Sequence, residues 1–196
     1  MKIHKNSKFF NCGGYTLVEL LVTASIMALM SAMAVANYKD YGHSRKLQMA
    51  AQVLASDIRM AASYSLSQKK FTTLPPRGGW GIYARRQNPN NIFYILFADS
   101  VVPADHRYDG AEFFRQIDLG DGVLIDNIIF YNGLGAGSNV NSATITFEPP
   151  HPVVWICDQS GACNAANRGS ELEIVLSLGS DTRTVKVNAS GMVDIN

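Results

Sequence analysis

Charge of one predominant sign is what this chain most lacks. Its 17 Lys and Arg stand against 16 Asp and Glu, a formal net charge of +1, so bulk electrostatics singles out no polyanionic partner. Charge of either sign is absent from Leu20 to Ala36, LLVTASIMALMSAMAVA, and no proline interrupts that run. Cysteine is scarce, at three, which rules out a dense disulfide framework. The four histidines, His4, His43, His106 and His151, are scattered, and neither a Ser-His-acid arrangement nor a metal-ligand spacing emerges. No catalytic residue, metal or cofactor is therefore assigned, and the chain reads as a non-enzyme. His106 and His151 are expected in exposed loops.

What the chain does contain is a hydrophobic fraction of 47%, enough to exclude disorder and to supply one globular domain with appendages. With Tyr15 to Val18 before it and Tyr38 after it, the uncharged run reaches the length of about 20 residues that a bilayer-crossing helix needs. Small residues (Ala24, Ser25, Ala28, Ser31, Ala32, Ala34, Ala36) recur along it and permit close helix packing. Ahead of it lies MKIHKNSKFFN, with Lys2, Lys5 and Lys8 and no acid; without that leader the balance is 14 basic residues to 16 acidic. A secretory signal places its apolar segment before the cleavage site. Here Cys12, Gly13 and Gly14 come first, so a cut at the glycines would remove the charges and leave the helix on the mature chain. The same order excludes a lipoprotein reading of Cys12.

Glu19 is the anomaly of this segment. A carboxylate in the bilayer centre costs roughly 2.5 to 3.5 kcal/mol on insertion scales, and buried charges are tolerated when paired. Four residues separate Tyr15 from Glu19, one helical turn, so an amine exposed at Tyr15 could meet its own carboxylate or a neighbouring subunit's. The alternative is a glutamate that snorkels to the headgroups. Lys39, Arg45 and Lys46 on the far side nearly balance the three leader lysines, so the positive-inside rule barely orients the span.

The stretch GGYTLVELLV, Gly13 to Val22, resembles the prepilin signal of type IV pilins and type II secretion pseudopilins. The resemblance implies that a prepilin peptidase cuts after Gly14 and methylates the new amine on Tyr15. It also implies that Glu19 pairs with the amine of another subunit during assembly. The family usually carries Phe or Met where this chain has Tyr15. Expected partners are other pilins or pseudopilins, the prepilin peptidase and the membrane. The family's location, an inner-membrane single span with the C-terminal part exported to the periplasm or into a filament, is implied as well.

From Lys39 to Lys70 the pattern is that of an amphipathic helix, with Leu47, Ala51, Leu54, Ile58, Ala61 and Leu66 on one stripe and a soft point at Gly42. Thr72, Pro75, Pro76, Gly78 and Gly79 end it. Nine short apolar segments follow, starting at Trp80 and including ATITFEP at Ala143 to Pro149 and TRTVKVNASGMVDIN at the C-terminus. Turn signals between them predict antiparallel sheets. The expected class is α+β, a long transmembrane and amphipathic helix packed on an antiparallel head. Its parts are a leader at 1–14, a span at 15–38, the helix continuation at 39–70 and the head at 71–196. The head is similar to the GspH/FimT branch of minor pseudopilins and minor pilins.

Within the head, Cys157 and Cys163 frame the loop CDQSGAC, for which a local disulfide fits an exported domain; two free thiols or a lone metal-ligand pair are the alternatives. Asp99, Asp105, Asp109 and Glu112 cluster in sequence and raise the question of Ca²⁺, although the spacing fits no EF-hand. GLGAGSNVNS, Gly133 to Ser142, lacks the lysine of a phosphate loop and reads as a hairpin tip. Trp80, Tyr83, Phe93, Tyr94 and Trp155 alternate as sheet-core residues do. One branch of the family takes up DNA through a G-R-x-R motif, whereas this chain has Gly191-Met192-Val193-Asp194. Nucleic acid is disfavoured, with Arg168, Arg183 and Lys186 left as the only cations nearby.

Overall fold

Uninterrupted apolar residues followed by a three-four stripe give one continuous helix, and alternating residues after Gly79 give strands. The computed structural model describes residues 14–88, 90–101, 103–120, 122–133, 135–151, 153–161 and 163–196, with side chains described for all of these except 35–41 and 90. The leader, with Lys2, Lys5, Lys8, Cys12 and Gly13, lies outside the described residues. The class is α+β: helix α1 (Leu17–Leu66) precedes two antiparallel sheets. By internal contacts the chain divides into two units, Met1–Tyr41 and Gly42–Asn196, so the boundary falls beside the glycine expected to be soft.

In the first unit the window Leu17–Ala34 has a mean hydropathy of 2.0 and none of it is buried, so the helix is long and apolar enough to cross a membrane. Two of its hydroxyls are satisfied by its own backbone: Thr23 Oγ1 donates to the Leu20 carbonyl at 3.0 Å and Ser25 Oγ to the Leu21 carbonyl at 2.8 Å. Such back-bonding lets a polar side chain sit in hydrocarbon without an orphaned donor.

In the second unit, strands β1 (Gly79–Arg85), β2 (Phe93–Asp99), β3 (Phe113–Asp118), β4 (Leu124–Tyr131), β5 (Ser138–Asn139), β6 (Ser142–Glu148), β7 (Val153–Asp158), β8 (Glu171–Leu178), β9 (Asp181–Asn188) and β10 (Val193–Ile195) form two five-stranded sheets. The first has the order β3-β2-β1-β6-β7, the second β10-β9-β8-β4-β5. The nine expected segments are all strands; β5, a two-residue strand inside the glycine-rich run, was not expected. The Asn188 to Gly191 turn closes β9 on β10 with Val187 opposite Val193, and its Gly191 has φ +81.

One core holds helix and sheets together. Leu47, Ala51, Leu54, Ala55, Ile58 and Ala61 are buried against Ile82 and Leu96 of the first sheet and Ile128, Ile174 and Val185 of the second. The small side chains on this face of α1 let the helix approach closely, and burial of the larger ones contributes about 1.5 to 3 kcal/mol each. The C-terminal end of the helix is tied to β1 by polar bonds. The backbone N–H of Trp80 donates to Ser65 Oγ at 2.8 Å and its indole Nε1 to the Lys69 carbonyl at 3.0 Å. Tyr64, Phe71 and Phe114 pack edge-on around that indole. Beside it, Gly79 has φ +90, and a Cβ there would lie 1.8 Å from the Phe147 carbonyl oxygen, so only glycine fits.

The expected stripe requires one correction: Leu66 is the last helical residue and stands 55% exposed, because the three-four spacing of the buried face continues from Ala61 to Ser65, which is buried, and leaves Leu66 off that face. Replacing buried Ile58 with Ala should cost about 2 to 5 kcal/mol of unfolding free energy, whereas Leu66→Ala should stay within about 0.5 kcal/mol. Denaturant unfolding of the full chain in detergent micelles, followed by tryptophan fluorescence, measures both. Equal costs would contradict the burial pattern.

Candidate functional site

The acidic cluster of the head is taken apart by the fold. Asp99 closes β2 and is fully buried, while Asp105 and Asp109 are exposed and Glu112 is fully buried. Each carboxylate meets backbone donors. Asp99 Oδ2 accepts from the His106 N–H at 2.8 Å, and Asp105 Oδ1 from Arg107 N–H at 3.1 Å. Asp109 caps a short 3-10 turn, its Oδ1 accepting from Ala111 N–H at 2.8 Å. Glu112 completes that capping box by accepting from Asp109 N–H, and its other oxygen takes the N–H groups of Ser100 at 2.9 Å and Val101 at 3.2 Å. Among the described residues no group of three or more His, Cys, Asp or Glu is placed to hold a metal ion. What the carboxylates do is fold the 100–112 segment back over the outer face of the first sheet.

His106 is the centre of that cover, and its expected exposure is wrong: it is only 5% exposed. Its ring stacks on Trp155, with centroids 4.1 Å apart and planes 10° from parallel. Its carbonyl accepts from Thr144 Oγ1 at 2.8 Å, so the threonines on the outer face of β6 gain a partner. A φ of 55° puts His106 in the left-handed region, which histidine enters more readily than branched residues do. Nδ1 lies 3.4 Å from Asp99 Oδ2 and Nε2 lies 3.8 Å from Glu148 Oε2, which itself accepts from Trp155 Nε1 at 2.7 Å. Nothing in the sequence spacing links residues 99, 106, 148 and 155; the contact is created by strand pairing. His151, by contrast, is exposed as expected.

The remaining expected sites fall as follows. Cys157 and Cys163 form a disulfide with Cα atoms 5.6 Å apart. Trp80 and Tyr94 are core residues, and Tyr94 donates to Asp57 of α1 at 2.6 Å. Tyr83 is half-buried and stacks on Tyr108. Gly133 to Ser142 is the β4–β5 hairpin with β5 inside it. Lys186 is held between Glu173 and Glu171, and the Arg168 guanidinium lies 5.5 Å from the centroid of Trp155.

At the N-terminus, Gly14 and Tyr15 are exposed and precede the helix. Thr16 is the capping residue: its Oγ1 accepts from Glu19 N–H and its carbonyl from Leu20 N–H, each at 3.2 Å. The expectation that Tyr15 and Glu19 share a helical face thus needs correction, because the helix starts at Leu17, after Tyr15. Glu19 sits in the first turn, where a negative charge compensates the helix dipole. The signal for this arrangement was present in T-L-V-E, the spacing of a capping box.

Compared with known families, residues 10–35 match the model of the prokaryotic N-terminal methylation motif, which covers the glycine boundary and the apolar helix and stops short of the head. No curated protein and no solved structure matches the chain.

The buried pair on the first sheet has a pH signature. Burial, reinforced by the nearby Glu112 and Asp105, pushes the Asp99 carboxyl up to about 7 from an ordinary 3.8, against the His106 N–H that favours ionisation. Burial likewise lowers His106, opposed by Glu148 and Asp105, and raises Glu112, opposed by its backbone donors. A carboxyl with a raised folded pKa binds its proton more tightly when folded. Its contribution is complete below about pH 4 and is lost as pH rises through about 7. His106 has the opposite sign, losing stability as pH falls below its unfolded value. The stability of the wild type minus that of Asp99→Asn should therefore fall by an order of a few kcal/mol between about pH 4 and pH 7. Chemical denaturation across that range reads it, and a flat or rising difference would overturn the assignment.

Proposed function

We propose that this chain is a prepilin-type structural subunit, processed by a prepilin peptidase and assembled into a type IV pilus or a type II secretion pseudopilus. The observation that carries this reading is the methylation motif, matched over residues 10–35, whose single acid, Glu19, lies in the first turn of the helix. Cleavage after Gly14 removes the basic leader, and methylation of the Tyr15 amine leaves its positive charge intact. That charge then becomes the partner that Glu19 of another subunit requires in a medium where unpaired charge is expensive. The chain is held as a single span in the bacterial inner membrane, with the β-rich head exported to the periplasm. The order of helix and antiparallel strands supports a minor subunit of the GspH/FimT branch, which contacts other minor subunits at or near the filament tip.

The subunit's role is structural rather than enzymatic. A DNA-capturing head is the less favoured reading, since the position of the arginine motif is a tight turn at Gly191 and Lys186 is engaged by Glu173 and Glu171. Coexpression with a prepilin peptidase should yield a chain that begins at Tyr15 and carries one methyl group on its amine, read by intact-protein mass spectrometry. Retention of Met1 would sink the assignment. Glu19→Ala should be processed as efficiently as the wild type yet be missing from sheared filaments; wild-type incorporation would refute the pairing.

A further inference from the structure

The head also contains a row of cavities that the proposed function leaves without a role. Three cavities with volumes of about 160, 720 and 340 Å³ lie next to one another on the head, the last of them against the disulfide. The first and second share Tyr83 and Arg85, and the second and third share Ser138, Asp158 and Ser160. They are therefore neighbours in a row, a trough whose middle cavity falls in the range of about 300 to 1,000 Å³ typical of ligand sites.

Its chemistry changes along its length. At one end Phe93, Ile95 and the stacked rings of Tyr83 and Tyr108, 4.9 Å apart, make an aromatic wall. In the middle the lining becomes a set of carboxamides, Gln87, Asn139, Asn141 and Gln159, of which Gln87 Oε1 already accepts from Arg85 and Asn139 Oδ1 from Asn127, so Gln87 and Asn139 face the trough chiefly as donors. The Gln159 Nε2 is buried without a hydrogen-bond partner. The loop bearing Gln159 is fixed on both sides: the Cys157–Cys163 disulfide closes it, and the Arg107 guanidinium donates to the Gln159 carbonyl. A site fixed before binding loses less entropy when a ligand arrives.

We propose that this trough binds a neutral oligosaccharide, whose C–H faces lie on the Tyr83 and Tyr108 wall and whose hydroxyls pair with Gln87, Asn141 and Gln159. Sugars combine an apolar ring face with a rim of donors and acceptors, and this lining supplies both complements. Other classes fit less well. Arg85 and Asp158 balance one another, so no net charge favours a nucleic acid or a phosphate. Asp158 is the sole carboxylate of the trough and already accepts from Ser160 Oγ at 2.7 Å, which leaves no cation cage. A purely apolar ligand would leave the carboxamides unpaired. An extended peptide needs a run of free main-chain groups. Here Arg86 N–H is taken by the Asn141 carbonyl and Gln159 N–H by the Ser142 carbonyl.

The test uses the full chain in micelles of a detergent without a sugar headgroup, which would otherwise compete. Maltotriose and tri-N-acetylchitotriose serve as neutral probes, with a heparin oligosaccharide and a single-stranded oligonucleotide as anionic ones, and saturation-transfer NMR with titration reads binding. At least one neutral probe should bind at millimolar concentration or below, and Tyr83→Ala and Gln87→Ala should each weaken it by roughly tenfold or more. Gln87 is exposed, so its variant should keep the wild-type melting temperature and separate lost contact from lost fold. Absence of neutral binding at millimolar concentration, tighter binding of either anionic probe, or neutral binding unmoved by both substitutions would overturn the proposal.

Discussion

One helix has to satisfy two apolar environments, and most of the architecture follows from how α1 divides that task. Over Leu17–Ala34 its surface is apolar apart from Glu19 and a few hydroxyls, of which those of Thr23 and Ser25 bond back to their own helix. After Gly42 it needs only one apolar face, because the head supplies the cover. There the inward positions alternate Leu and Ile with alanines, which lets both sheets share one core with the helix. The Ser65 to Trp80 bond and the ring of aromatics around the indole then fix where the helix ends and the first strand begins.

Covering the outer face of the first sheet creates the second constraint. The strands β2 and β6 are buried on both faces, so Thr144, Thr146 and Asp99 lose water and must find partners in the protein. The 100–112 segment provides them through main-chain groups: the His106 carbonyl for the threonines and the His106 N–H for Asp99. Glu112 does the same for the start of the segment by accepting three N–H groups. A set of acids that looks like a cation site in sequence is a set of loop fasteners in the fold. The satisfaction is incomplete at Asp99 Oδ1 and His106 Nδ1, and the raised carboxyl and lowered imidazole are the electrostatic record of that crowding.

This explains what was legible from the sequence. Helix and strand periodicity are local, and so the helix stripe from Leu47 to Ala61 and nine of the strands could be read directly. The turn at Asn188 to Gly191 was legible because a tight turn writes its own residues. Leu66 stands outside the stripe because the buried position one turn after Ala61 is Ser65, a polar residue that an apolar pattern passes over. The burial of His106 and Glu112 was not legible at all, since it depends on which distant strand each segment lands upon. The oligosaccharide trough is of the same kind: Tyr83, Gln159 and Asn141 come from β1, the disulfide loop and the β5–β6 turn, and no spacing connects them.

The position of Glu19 combines local and assembly physics. In the described chain it lies in the first helical turn, below the Thr16 cap, where the helix dipole presents partial positive charge. On the processing reading, cleavage after Gly14 puts a full positive amine two residues before that turn. An amine there adds to the dipole rather than opposing it, so the processed helix end is more electropositive than the unprocessed one. A carboxylate in the first turn compensates the unprocessed dipole fully but the processed end only in part. The surplus positive charge that remains is what a second subunit's Glu19 can neutralise. On that reading the same carboxylate compensates the helix dipole before cleavage and serves as a docking group after it, and the cut itself produces the electrostatic demand that assembly meets.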